Sequence, residues 1–167
     1  MRILRTSLLA MVFMFVVSSC TKDESELISE AKYSIDLNLA QETDWILADE
    51  ILFLINRHRD SLGLSAISRD QQYASAYAVD HTKYMIEKNQ INHDNFSFRS
   101  AALKDNGANT VAENVAFGYS SAEDVVRAWL NSPAHRRIIE GSYTHSGFGV
   151  ISNDHGSYFF TQLFYSK

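Results

Sequence analysis

Apolar residues recur at three- and four-residue steps over the first half of the chain and gather in two short runs at its end. Leu47, Ile51, Leu54, Ile55 and His58 form one stripe on a helix predicted over residues 44–61, with Gly63 as its stop. A second stripe, Ala74, Tyr77, Ala78, His81, Tyr84 and Met85, predicts a helix running from Ser68 to about Asn89. Ser68 and Gln71 there have capping-box spacing. The small residues of this stripe predict a close approach by another element. Residues 96–104 form a short third helix, stopped by Asp105-Asn106-Gly107. Residues 109–118 are either a strand or an extended segment crossing a site. A further helix starts at Ser120 or Ser121 and buries Val125, Val126, Trp129 and Leu130. Pro133 then permits a fresh helix over 134–139, because proline suits a first turn. Two strands, 147–152 and 158–164, close the chain around the hairpin signal Asn153-Asp154-His155-Gly156. Helices early, strands late and no βαβ alternation predict an α+β domain, a small sheet covered by helices.

The first nineteen residues do not belong to that pattern. Arg2 and Arg5 precede an unbroken apolar run, Leu8 to Val17, too short for a mature membrane span and suited to a signal peptide. Val17-Ser18-Ser19-Cys20 resembles a bacterial lipobox, so residues 1–19 are expected to be cleaved and Cys20 lipidated. Cys20 is the only cysteine, which excludes an intramolecular disulfide. Cys20-Thr21-Lys22-Asp23-Glu24 resembles a signal for display on the outer surface of Gram-negative cells. Residues 20–44, polar and acidic, read as a tether, and 45–167 as one domain. These features imply an exported protein, anchored by lipid to the bacterial outer membrane, and a monomer is expected.

Charge narrows the class. Loss of Arg2 and Arg5 leaves 13 basic against 20 acidic residues, a net charge near −7. The longest basic cluster is Arg136-Arg137, so no basic stripe is available and nucleic-acid binding is excluded.

Three residues carry the candidate chemistry. His93 stands in a polar loop just after the second helix. Glu113 lies inside Val111-Ala112-Glu113-Asn114-Val115-Ala116-Phe117, where an ionised carboxylate must be paired, hydrogen-bonded or liganded. His135 follows Pro133 near a helix start, where the dipole disfavours protonation. Imidazole and carboxylate are the side chains of metal ligation and proton transfer near neutral pH. Separations of 20 and 22 residues require a fold to assemble them, unlike a local HExxH pattern. They are either one site or three polar residues locking loops together. Asn114, Ser132 and Trp129 are the adjoining candidates for a cleft, Asn114 by bonding backbone beside the site and Trp129 as either a core residue or a wall of the cleft. His81 and His58 read as satisfied core histidines, His145 and His155 as loop residues, and Arg99 as the partner of an acid. Ser132 and His135 lack a third group for a nucleophilic triad.

Five segments then occur in order: Ile91-Asn92-His93, Ala112 to Gly118, Trp129 to Arg136, Gly147-Phe148-Gly149-Val150 and Tyr158 to Phe164. Together they resemble the CAP superfamily, or SCP-like domains, which includes cysteine-rich secretory proteins, insect venom antigens, plant pathogenesis-related proteins and bacterial exported proteins. The resemblance covers about 49–164 and implies an α-β-α sandwich with His93, Glu113 and His135 in one cleft. It further implies that His93 and His135 can hold a divalent cation, often zinc, weakly and at an open site. Three positions depart from the family pattern. Ala112 replaces a usual glycine, Ile138 a frequent asparagine, and Ser132 stands where many eukaryotic members carry a second glutamate. The last removes an acid/base candidate.

Three functions follow as expectations. The leading one is a cleft binding a peptide, glycan or lipid-like ligand, with a divalent cation as the only cofactor. The alternatives are a zinc-dependent hydrolase with Glu113 as general base, and a structural or adhesion module.

Overall fold

In a computed structural model, which describes residues 32–167, the first apolar stripe forms helix α1 (Trp45–Ser61). Asp44 caps it, its carboxylate accepting from the Leu47 N–H at 3.1 Å. Leu47, Ala48, Ile51 and Ile55 face the core. The signal segment 1–19 and the lipidation candidate Cys20 lie outside the described residues.

The second helix starts later than its sequence pattern. Ser68–Arg69 forms strand β1, and α2 runs over Tyr73–Lys88. The capping box is not made, because the Ser68 N–H donates to the Thr144 carbonyl at 2.8 Å and the Asp70 N–H to Ser146 at 2.7 Å. Pairing with a distant strand outweighs the local cap. The Asp70 carboxylate takes over at the helix start, accepting from the N–H groups of Gln72, Tyr73 and Ala74.

Helix α3 (Phe96–Asp105) leads into β2 (Thr110–Phe117), so the ambiguous segment is a strand. Helices α4 (Ala122–Asn131) and α5 (Pro133–Ile139) follow, with Ser121 capping the first and Pro133 opening the second. Strands β3 (His145–Ser152) and β4 (Tyr158–Ser166) finish the chain. His145 is therefore a strand residue, not a loop residue, and its ring stacks on Tyr165 with centroids 5.0 Å apart. His155 is exposed in the hairpin turn.

The sheet has the order β1-β3-β4-β2, with β1 parallel to β3 and the other pairs antiparallel. Side-chain alternation assigns each face to a layer. Val115 and Phe159 meet Met85 of α2, and Leu163 and Tyr165 join Tyr77 and Ala78 on that side. Ala116, Phe148, Val150, Phe160 and Phe164 pack against Ile51, Ile55, Val125, Val126 and Trp129 on the other. The result is an α-β-α sandwich, as the α+β reading requires. Gly149 lets α2 approach: a Cβ there would fall 2.3 Å from the Ala78 carbonyl oxygen.

Residues 33–44, read from the sequence as tether, belong to the compact unit that spans Tyr33–Lys167. Leu37–Glu42 is a 3-10 helix capped by Asp36. The Thr43 hydroxyl donates to the Phe148 carbonyl at 2.7 Å, and the Asp44 N–H to Val150 at 2.9 Å. No helix among the described residues is long and apolar enough to cross a membrane.

Candidate functional site

Strand β2 carries the site because its neighbouring residues serve opposite layers. Glu113 points toward α2 and α3, Asn114 toward α5. Glu113 shares the chemistry of a buried ion, with a side chain only 1% exposed. Arg99 of α3 answers that charge as a two-pronged fork: Nε donates to Oε2 at 2.8 Å and Nη2 to Oε1 at 2.9 Å. The third arm, Nη1, donates to the Asp94 carbonyl at 2.6 Å. A planar guanidinium is the one cation that matches a carboxylate in this bidentate way while reaching a third acceptor. Burial lowers the Arg99 pKa from its ordinary value, and Glu113 opposes that shift.

His93 meets the same carboxylate. Its Nδ1 lies 2.8 Å from Glu113 Oε1, and a carboxylate can only accept, so Nδ1 carries the proton. In the neutral ring the free lone pair then sits on Nε2. The His93 side chain is half exposed. The loop under it is held from several sides. His81 Nε2 donates to the Asn92 carbonyl at 2.9 Å, Tyr84 donates to Asp94 Oδ2 at 2.9 Å, and Arg99 holds Asp94. Asn95 at the end of this loop takes a left-handed backbone, φ 57°.

His81 is the satisfied core histidine expected, yet it also faces the site. Its pKa is lowered by burial first and by Arg99 next, while Glu113, 4.0 Å away, pulls the other way and loses. Desolvation dominates because the side chain is 1% exposed. His58, by contrast, is not core: it is partly exposed and pairs with Glu140 at 2.9 Å, on the face of the sheet opposite Glu113.

His135 stands on α5, across β2 from His93. It makes no direct hydrogen bond to His93 or Glu113 among the described residues. Its carbonyl accepts a long bond, 3.4 Å, from Asn114 Nδ2. Its pKa is lowered by burial first and by the nearby His93 second. Asn114 is fully buried, and its Oδ1 has no partner among the described residues.

The other candidates separate. Trp129 is a core residue, not a wall of the cleft: it is 2% exposed and its indole donates to the Val115 carbonyl at 3.1 Å. Ser132 is half-buried at the junction of α4 and α5, and its hydroxyl caps neither helix. A cavity of about 530 Å³ exists elsewhere, between α1, α4 and α5, lined by Leu54, Arg57, His58, Val126, Arg127 and Arg136. It contains none of the triad.

Sequence reasoning identified Arg99 only as the partner of some acid and did not connect it, or His81, to the site. The signal was present: Glu113 in an apolar run demands a buried cation, and Arg99 interrupts the apolar positions of a short helix. For a metal, the donor set is two imidazoles. Glu113 is engaged by Arg99 and His93, and no cluster of three His, Cys, Asp or Glu among the described residues is placed to hold an ion. Two imidazoles alone would hold a divalent cation weakly at an open site, and they fall short of the three protein ligands typical of a resident catalytic zinc.

Comparison with known proteins bears on the same stretch. Residues 52–164 match the model of the CAP family, described as the cysteine-rich secretory protein family. The chain is 32% identical over 123 residues to the uncharacterized protein YkwD of Bacillus subtilis (strain 168), covering 71% of this chain and 46% of that protein. It therefore spans less than half the length of that curated relative. Among solved structures, an outer surface protein from Borrelia burgdorferi aligns with a TM-score of 0.62 at 23% identity, covering 70% of this chain and 89% of that one. An extracellular protein containing a SCP domain from Bacillus anthracis str. Ames aligns with a TM-score of 0.59 at 28% identity, covering 71% and 40%.

Proposed function

The chain belongs to the cysteine-rich secretory protein (CAP) family, and from that premise we propose that it is an extracytoplasmic ligand-binding domain. The His93/Glu113/His135 cleft takes a peptide, glycan or lipid-like ligand, and a divalent cation such as zinc binds weakly between His93 and His135. The observation that carries this reading is the Arg99–Glu113–His93 chain of contacts. It spends the charge of Glu113 on orientation, fixes the imidazole tautomer and leaves Nε2 as the nitrogen for a ligand. A carboxylate that holds a histidine by Nδ1 in this manner is the usual second support of a histidine–metal bond.

The same geometry weighs against hydrolysis. A general base needs an oxygen within reach of an attacking water. Both oxygens of Glu113 are taken by Arg99, one of them also by His93, and the side chain is sealed from solvent. Ser132 supplies no second acid. Binding is the function this arrangement suits.

Export and anchoring complete the proposal. Cleavage before Cys20 and its acylation place the domain on the outer membrane, with Thr21-Lys22-Asp23-Glu24 directing it outward. The Bacillus anthracis relative is described as extracellular, which accords with export.

The test is calorimetric titration of zinc into the protein, beside His93→Ala and His135→Ala. Each substitution is expected to weaken binding by at least about tenfold, the loss of one of two ligands. Unchanged affinity in both variants defeats the shared cation. Turnover of a peptide and ester library that vanishes in Glu113→Gln would restore the hydrolase reading; an inactive wild type supports binding.

A further inference from the structure

We propose that the ligand of this cleft is an extended peptide that adds a fifth strand to the open edge of β2, passing between His93 and His135. The inference rests on the cleft reading above and names its ligand class. Among the described residues, strand order leaves β2 with β4 as its only neighbour. The two strands pair without interruption from Thr110↔Ser166 to Phe117↔Phe159, and with the Trp129 indole seated on the Val115 carbonyl the stretch of edge left open is that around Val111 and Glu113.

Antiparallel pairing makes alternate residues point their main-chain groups toward or away from the partner strand. The Gly118 N–H donates to Tyr158, which continues the even-numbered set facing β4. The Val115 carbonyl turns the other way, toward the Trp129 indole. The N–H and C=O groups of Val111 and Glu113 therefore face the open edge. Among the described residues nothing meets them.

These groups are reachable but recessed. Glu113 as a residue is 5% exposed while its side chain is 1% exposed, so what solvent touches there is main chain. On one side stands the loop carrying His93, locked by Arg99 and His81; on the other stands α5 with His135. The orphan groups recur every second residue, about 6.8 Å along a strand. An extended peptide repeats donor and acceptor at that interval, and main-chain pairing of this kind is an established route to peptide binding. A lipid tail offers no such groups. A second copy of the chain fits poorly, because its own edge is recessed between the same walls. Thr110–Phe117 contains neither proline nor lysine, the residues that commonly discourage edge pairing.

The experiment uses the full-length protein and a library of end-capped peptides matching the eight residues of β2, read by fluorescence anisotropy. The strongest binder is then N-methylated one amide at a time. Loss of about tenfold or more at alternate amides, and little at those between, is the expected result. Val111→Pro removes an edge-facing N–H and leaves the β4 ladder intact, so it should keep its circular dichroism and lose peptide affinity. If that variant misfolds, the methylation scan on the wild type decides alone.

Three outcomes overturn the inference. Binding that needs His93 but tolerates methylation everywhere removes strand addition and leaves the cleft reading standing. An absence of any peptide binder, or binding indifferent to both His93→Ala and His135→Ala, removes peptide recognition at this site altogether. A dimer in sedimentation that Val111→Pro dissolves assigns the edge to a second copy.

Discussion

Replacing Arg99 by methionine isolates the ion pair on which the site is built. The substitution keeps most of the buried stem and deletes the fork, leaving Glu113 with only His93 Nδ1 as a close donor. Arg99 and Glu113 side chains are 5% and 1% exposed, so solvent cannot replace the lost contacts. Breaking one partner of a buried pair costs about 3–5 kcal/mol. For a compact unit of this size that lowers Tm by roughly 10–18 °C. The double variant Arg99→Met/Glu113→Leu separates charge from packing. It removes both ions together and leaves His93 Nδ1 on a half-exposed ring that water can reach. It should therefore be more stable than Arg99→Met alone, with a coupling of about 2 kcal/mol or more in the double-mutant cycle. Urea unfolding with an unchanged m-value reads the differences. A cost under about 1 kcal/mol for Arg99→Met, together with an additive cycle, would refute the claim that this pair organises the site.

Other perturbations probe separate parts of the argument. Gly149→Ala should cost about 3 kcal/mol or more by thermal unfolding, because the new Cβ meets the backbone of α2 at the Ala78 carbonyl; near-wild-type stability would mean that the helix can retreat. His81 and His135 both have pKa values lowered from 6.5 by burial, so the unfolded chain binds more protons below that value. Stability should be level well above pH 6.5 and fall as the pH drops below about 6.5. His81→Gln should flatten part of that slope, and a denaturation series that rises toward acid contradicts the sign. Cys20→Ser should release the protein from membranes and abolish labelling by a fatty-acid analogue; continued labelling defeats the lipoprotein proposal.

The architecture was legible where the sequence pattern and tertiary demand agree. The stripe from Leu47 to Ile55, the apolar runs of the last two strands around their hairpin signal and the small residues of α2 each describe a feature that packing then uses. The pattern misled where a distant partner outweighs local propensity. Ser68 and Gln71 have the spacing of a cap, but the backbone around them pairs with β3, which no local signal encodes. Residues 33–44 look like a linker because a 3-10 helix with one buried alanine carries little periodicity. At the site, the demand for a partner to Glu113 could be read from its apolar neighbours, whereas the supplier could not. Arg99 stands fourteen residues away on another element, and only the fold selects it from the other cations. The division of β2 between two layers, which sets His93 and His135 on opposite sides of one strand, was likewise invisible before the strand's neighbours were known.

Arg99 also decides what kind of site this is. A group that moves protons must be able to gain and lose one while touching the reacting atoms. Glu113 is instead enclosed by the fork and the His93 N–H, with both oxygens committed to fixed donors and neither free to meet a reacting atom. Its consequence is mechanical: the carboxylate holds the imidazole, the guanidinium holds the carboxylate, and the same guanidinium holds the loop on which the imidazole sits. Rigidity of this sort lowers the ordering cost of association, since the receptor gives up little freedom when it binds. The unpaired main-chain groups of Val111 and Glu113 lie within that stiffened frame, and a strand laid against them would find donors and acceptors already fixed at its own repeat. The loss of the second acid at Ser132 fits the same direction, because a site that orients and holds has no need of a residue to complete a proton relay.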